Sequence, residues 1–174
     1  AGFYSGLPDM LKSYRFVDAM NQVKDLQDGL TFEEATASLD IPVERYRLLA
    51  TSMTWLIAQF EKRPLSYGWK TSRGALDIPK ADRKGIYVQE KLIAWVDVPK
   101  ERVIGFFSHY LEKDEDVGKS KADLYAGAAI YCKTFGFDDF TMDGFIDKAK
   151  NESKLTGDKM NALINFKIDD SLVD

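Results

Sequence analysis

Between positions 62 and 84, seven basic residues (Lys62, Arg63, Lys70, Arg73, Lys80, Arg83 and Lys84) face two acidic ones, Asp77 and Asp82. Tyr67 and Trp69 stand among them. This mixture suits a polyanion, because lysine and arginine contact phosphates while aromatic faces stack on exposed bases. Two plainer readings fit the same residues: a solvated loop whose rings lie on the core, or a surface for an acidic protein. Pro64, Gly68, Gly74, Pro79 and Gly85 punctuate the stretch without a sustained period, so the sequence predicts a loop or a short hairpin.

A second group of basic side chains belongs to an internal duplication. Ser38-Leu39-Asp40-Ile41-Pro42-Val43-Glu44-Arg45 aligns with Trp95-Val96-Asp97-Val98-Pro99-Lys100-Glu101-Arg102. In the first copy Thr31 and Glu34 have capping-box spacing, Asp40 tolerates the left-handed backbone that ends a helix, and Pro42 can open the next helix. The expectation is a helix-turn-helix-like unit, repeated over the second copy. Arg45, Arg47, Lys100 and Arg102 would then be groove or phosphate contacts, opposed by Glu44 and Glu101. Helical corners of a bundle with no role in binding would show the same pattern.

Other chemistry finds little footing. His109 is the single histidine and Cys132 the single cysteine, so no zinc site of the usual kind can be assembled and no nucleophile elbow accompanies the histidine. Cys132 sits in an apolar helical pattern and reads as packed. Asp139 to Asp147 resembles the start of a calcium loop, but Lys150 stands where a bidentate glutamate belongs. Gly118-Lys119-Ser120 has the tail of a phosphate-binding loop without its first glycine, and Asn151-Glu152-Ser153 matches a glycosylation sequon. Both read as chance. No catalytic residue, metal or cofactor is expected.

The elements that must position these residues read as helices. Pro8 and Asp9 open one that carries Met10, Tyr14, Val17 and Met20 and stops at Gly29. After the capped helix, Tyr46, Leu49, Met53, Leu56, Ile57 and Phe60 form the widest apolar stripe. Residues 86–96 and 99–113 are expected to be the second helix pair, with Val103, Phe106, Phe107, Tyr110 and Leu111 buried. Lys121 to Phe135 is a helix whose Ala126-Gly127-Ala128-Ala129 run lets another helix approach closely, and two closing helices precede an acidic tail.

The predicted fold is therefore all-α, a compact multi-helix bundle with two helix-turn-helix-like units joined by a basic, Gly/Pro-containing loop. Residues 1–63 and 86–174 form the helical units and 64–85 the loop. A net charge of −4 over 174 residues excludes a globally basic coat but not a local basic face. No apolar run approaches the roughly 18 residues of a membrane span. The lone cysteine and the absence of a signal-peptide pattern point to a cytoplasmic protein. The favoured function is non-enzymatic binding of DNA through Arg45, Arg47, Lys100 and Arg102, aided by Lys70, Arg73, Arg83, Lys84, Tyr67 and Trp69. The alternative is a structural or adaptor subunit of a larger viral or phage assembly, working by protein contacts or self-association. An enzyme of unrecognised class comes third.

Overall fold

The computed structural model describes residues 6–113, 121–152 and 157–166. Gly118-Lys119-Ser120, Ser153 of the sequon and the acidic tail lie outside them. In chain order the elements are α1 (Leu7–Lys12), α2 (Phe16–Gly29), α3 (Glu33–Ser38), α4 (Asp40–Lys62), β1 (Leu65–Thr71), β2 (Gly74–Ile78), β3 (Lys80–Ala81), β4 (Gly85–Val88), β5 (Lys91–Ala94), α5 (Lys100–Lys113), α6 (Lys121–Thr134), α7 (Asp139–Glu152) and α8 (Gly157–Asn165). The chain divides into two units, Ala1–Ser52 with Val117–Asp174, and Met53–Asp116.

The all-α expectation is corrected by two small antiparallel sheets, β1-β2 and β3-β4-β5. With them goes the second helix-turn-helix-like copy, because residues 85–94 pair as strands and Trp95–Asp97 is one short 3-10 turn. Gln89 and Glu90 both take left-handed backbone, φ 48° and 65°, which is what a two-residue turn needs to match the twist of its strands. Gly85 lets β5 come close: a Cβ there would lie 2.0 Å from the Ile93 carbonyl oxygen. In the same unit Phe60 meets Phe106 and Tyr110 edge-on, at 5.2 Å each. The stripe expected on α5 is buried as a set.

The first copy does contain two helices, but not the predicted turn. α3 starts at Glu33 after an extended Phe32, without a side-chain cap. Leu39 alone separates α3 from α4, and it is right-handed. Asp40 already belongs to α4 and does not take the left-handed backbone. Its carboxylate instead accepts a hydrogen bond from Gln27 Nε2 at 2.6 Å, tying α4 to α2. The predicted N-terminal helix is also divided, by a left-handed Tyr14 (φ 58°) between α1 and α2. That break coincides with the contact of the Tyr14 and Tyr131 hydroxyls, 2.5 Å apart.

The core of this unit gathers Leu7, Ala19, Val23, Leu39 and Tyr46. Gly127 on α6 lies against α4, where a Cβ would meet Ser52 Oγ at 1.8 Å and the Leu48 carbonyl oxygen at 2.6 Å. The small-residue run therefore serves close helix packing, as its composition predicts. The calcium-loop resemblance falls on α7, whose helical backbone cannot wrap oxygens round an ion as that loop does.

Candidate nucleic-acid interface

The basic aromatic stretch is built on β-structure. β1 and β2 form a hairpin in which Trp69 opposes Leu76 and Leu65 opposes Ile78. Ser66, Tyr67 and Gly68 therefore oppose Asp77 alone, which makes a bulge. Tyr67 occupies it with a left-handed backbone, φ 57°, and is 73% exposed. The Tyr67 N–H donates to Asp77 Oδ1 at 2.8 Å, so a carboxylate across the hairpin satisfies the donor that the bulge removes from the ladder. Gly68 gives the bulge room: a Cβ there would sit 2.7 Å from Leu65 Cδ2.

Trp69 is half-buried and carries the Arg102 guanidinium over its ring, 4.3 Å from the centroid. Arg102 also donates to the Lys70 carbonyl oxygen at 3.0 Å. It acts as a strut between α5 and the hairpin. Lys70 and Arg73 are exposed, with Arg73 in the hairpin turn. Arg83 and Lys84 are exposed in the turn between β3 and β4. Asp82 shapes that turn: it accepts from the Lys84 and Gly85 N–H groups at 2.8 and 3.2 Å and from the Tyr87 hydroxyl at 2.7 Å. The Tyr87 hydroxyl, followed by the two amides, holds the Asp82 carboxyl below the usual carboxylate range. Lys80 lies over the Tyr87 ring, 4.5 Å from its centroid.

The other predicted contacts are placed differently. Arg45 is buried and donates to the Leu163 and Ile164 carbonyl oxygens at the end of α8. The negative end of a helix dipole compensates a guanidinium there, and burial lowers its pKa. Arg47 is held by Glu44, with two contacts of 2.7 Å, and reaches Asp123 at 3.5 Å. Its hydrogen bond to Glu44 raises the Arg47 pKa and lowers that of Glu44. Both arginines are thus held by partners within their own unit. Lys100 is half-buried, and desolvation lowers its pKa against the opposing pull of Asp97 and Glu101.

Tyr67, Trp69, Lys70, Arg73, Arg83, Lys84, Lys100 and Arg102 all belong to the Met53–Asp116 unit, where Arg102 links Trp69 and Lys70. Sequence reasoning missed Asp77 and the tyrosine backbone it fixes. A glycine directly after Tyr67 inside a strand was the available signal, since glycine in a strand marks a bulge.

Among the described residues, no group of three or more His, Cys, Asp or Glu side chains could hold a metal ion, and no helix is long and apolar enough to cross a membrane. Cys132 is buried, which pushes its thiol up to about 12. A comparison with known proteins finds no matching family model, no matching curated protein and no matching solved structure.

Proposed function

We propose that this protein binds nucleic acid through its β-containing unit, with Lys70, Arg73, Arg83 and Lys84 contacting phosphates. One observation carries the reading: all four side chains are exposed, and none forms an ion pair among the described residues. Cations left exposed and unpaired can neutralise phosphates, and the release of the counterions condensed on the nucleic acid drives binding. Arg45 and Arg47 lack that freedom and have no part in the reading. The helix-turn-helix geometry has none either. A net charge of −4 is compatible with it, because the Debye length of about 10 Å at moderate salt limits how far distant acidic residues weaken each exposed cation.

Fluorescence anisotropy of labelled duplex and single-stranded oligonucleotides at two salt concentrations tests it. Wild-type binding should weaken steeply with salt. The triple charge reversal Arg73→Glu, Arg83→Glu, Lys84→Glu should weaken binding tenfold or more and flatten the salt dependence, whose slope is about −0.9 per phosphate neutralised on duplex. Its unfolding midpoint should stay close to that of the wild type, since the three side chains are exposed and form no ion pair among the described residues. Equal affinity of variant and wild type, or no binding by the wild type at low salt, would exclude the reading.

A further inference from the structure

We infer that Tyr67 is a base-stacking platform for single-stranded nucleic acid, and that Asp77 sets it in place rather than merely diluting the local positive charge. The inference rests on the nucleic-acid reading above and names the ligand class. A tyrosine that is 73% exposed does not support a core. Yet it sits in a left-handed conformation (φ 57°), which side chains other than glycine adopt rarely and at a cost. The cost is met locally by the 2.8 Å hydrogen bond from the Tyr67 N–H to Asp77 Oδ1 and by Gly68, which gives the bulge space. The ring is therefore projected from a fixed backbone position on a hairpin that also carries Lys70 and Arg73. Every base offers a π-face, so such a ring accepts unpaired bases of any sequence, whereas a duplex keeps its bases stacked internally.

The role assigned to Asp77 gives an outcome that charge alone does not. If the site only attracted phosphates, removing a carboxylate from it would tighten binding by any substitution. If Asp77 holds the platform, the two substitutions part. Asp77→Asn removes the charge but keeps an oxygen that accepts from the Tyr67 N–H, while Asp77→Ala removes both.

The test titrates the full chain into a labelled oligothymidylate and into an abasic strand of equal length and charge. Wild type should prefer the thymidylate, and Tyr67→Ala should cut that affinity about fivefold or more, down to the abasic level. Asp77→Asn should bind at least as tightly as wild type. Asp77→Ala should weaken thymidylate binding while leaving or raising abasic binding. The inference is overturned if Tyr67→Ala is without effect, or if Asp77→Ala tightens thymidylate binding as Asp77→Asn does. Salt-dependent binding of both strands without preference would sink the platform while leaving phosphate binding intact. No binding of either strand would sink both.

Discussion

At the scale of single residues, the four candidate cations left exposed differ from the two that are committed by what their carboxylate and carbonyl neighbours do. Arg45 spends its guanidinium on two backbone oxygens, and Arg47 on Glu44 and Asp123. His109 is perturbed by burial and by neighbouring cations. Partial burial, followed by the nearby charges of Lys113 and Arg63, holds its imidazole below the ordinary 6.5. A depressed folded-state pKa means that protonation favours the unfolded chain. The stability His109 contributes is therefore whole above its ordinary pKa and is lost as pH falls through the lower, folded value. An NMR titration of the histidine ring should give a midpoint below 6.5. Between about pH 7.5 and 5, the wild type should lose stability relative to His109→Gln. A midpoint at or above the ordinary value would refute this.

At the scale of elements, two local arguments give opposite expectations for the same chemical change. Gly127 and Gly105 both lie in helices. A methyl group at 127 would run into the Leu48 carbonyl oxygen and Ser52, whereas one at 105 meets nothing within 4 Å. Gly127→Ala should cost about 1–3 kcal/mol by overpacking. Gly105→Ala should gain up to about 1 kcal/mol from helix propensity. Denaturant unfolding of the two variants checks both, and equal effects would mean the close approach of α6 to α4 is wrong. In the β4–β5 turn, Gln89 and Glu90 both take positive φ, which asparagine and glycine accept far more easily. Replacing the pair by Asn-Gly should raise stability by about 1 kcal/mol, read as a higher unfolding midpoint. A lower midpoint would contradict a left-handed turn. That same pair explains why the segment reads as a helix from its sequence. Gln89, Glu90, Lys91 and Leu92 are four good helix formers in a row, and Ala94 follows one residue later. The exposed Leu92 and Val96 also hide the alternation that the buried Ile86 and Val88 would show.

At the scale of the whole molecule, local chemistry sufficed for the strongly patterned parts. The apolar spacing on α5 and along α4, the small residues of α6 and the proline start of α5 are facts of sequence, because a helix buries what recurs every three to four residues. The local excess of basic residues between Lys62 and Lys84 was legible for the same reason, since it depends on no distant partner, but the stretch that reads as a loop or a short hairpin folds as β1, β2, β3 and the start of β4. Tertiary structure alone decided the rest. The Asp40 turn looked left-handed in isolation, but an aspartate has several ways to use its carboxylate, and Gln27, thirteen residues away, claimed it. Tyr14 looked like one more position on a helical stripe until Tyr131, far along the chain, offered its hydroxyl. Arg45 and Arg102 occupy equivalent places in the sequence duplication, yet one is buried at the end of α8 and the other lies over Trp69. Side-chain type and spacing determined which residues carry charge, which are apolar and where helices can run. Which charges stay unpaired was decided only when distant segments met, because hydrogen bonds and ion pairs form between whichever groups the fold brings within about 3 Å.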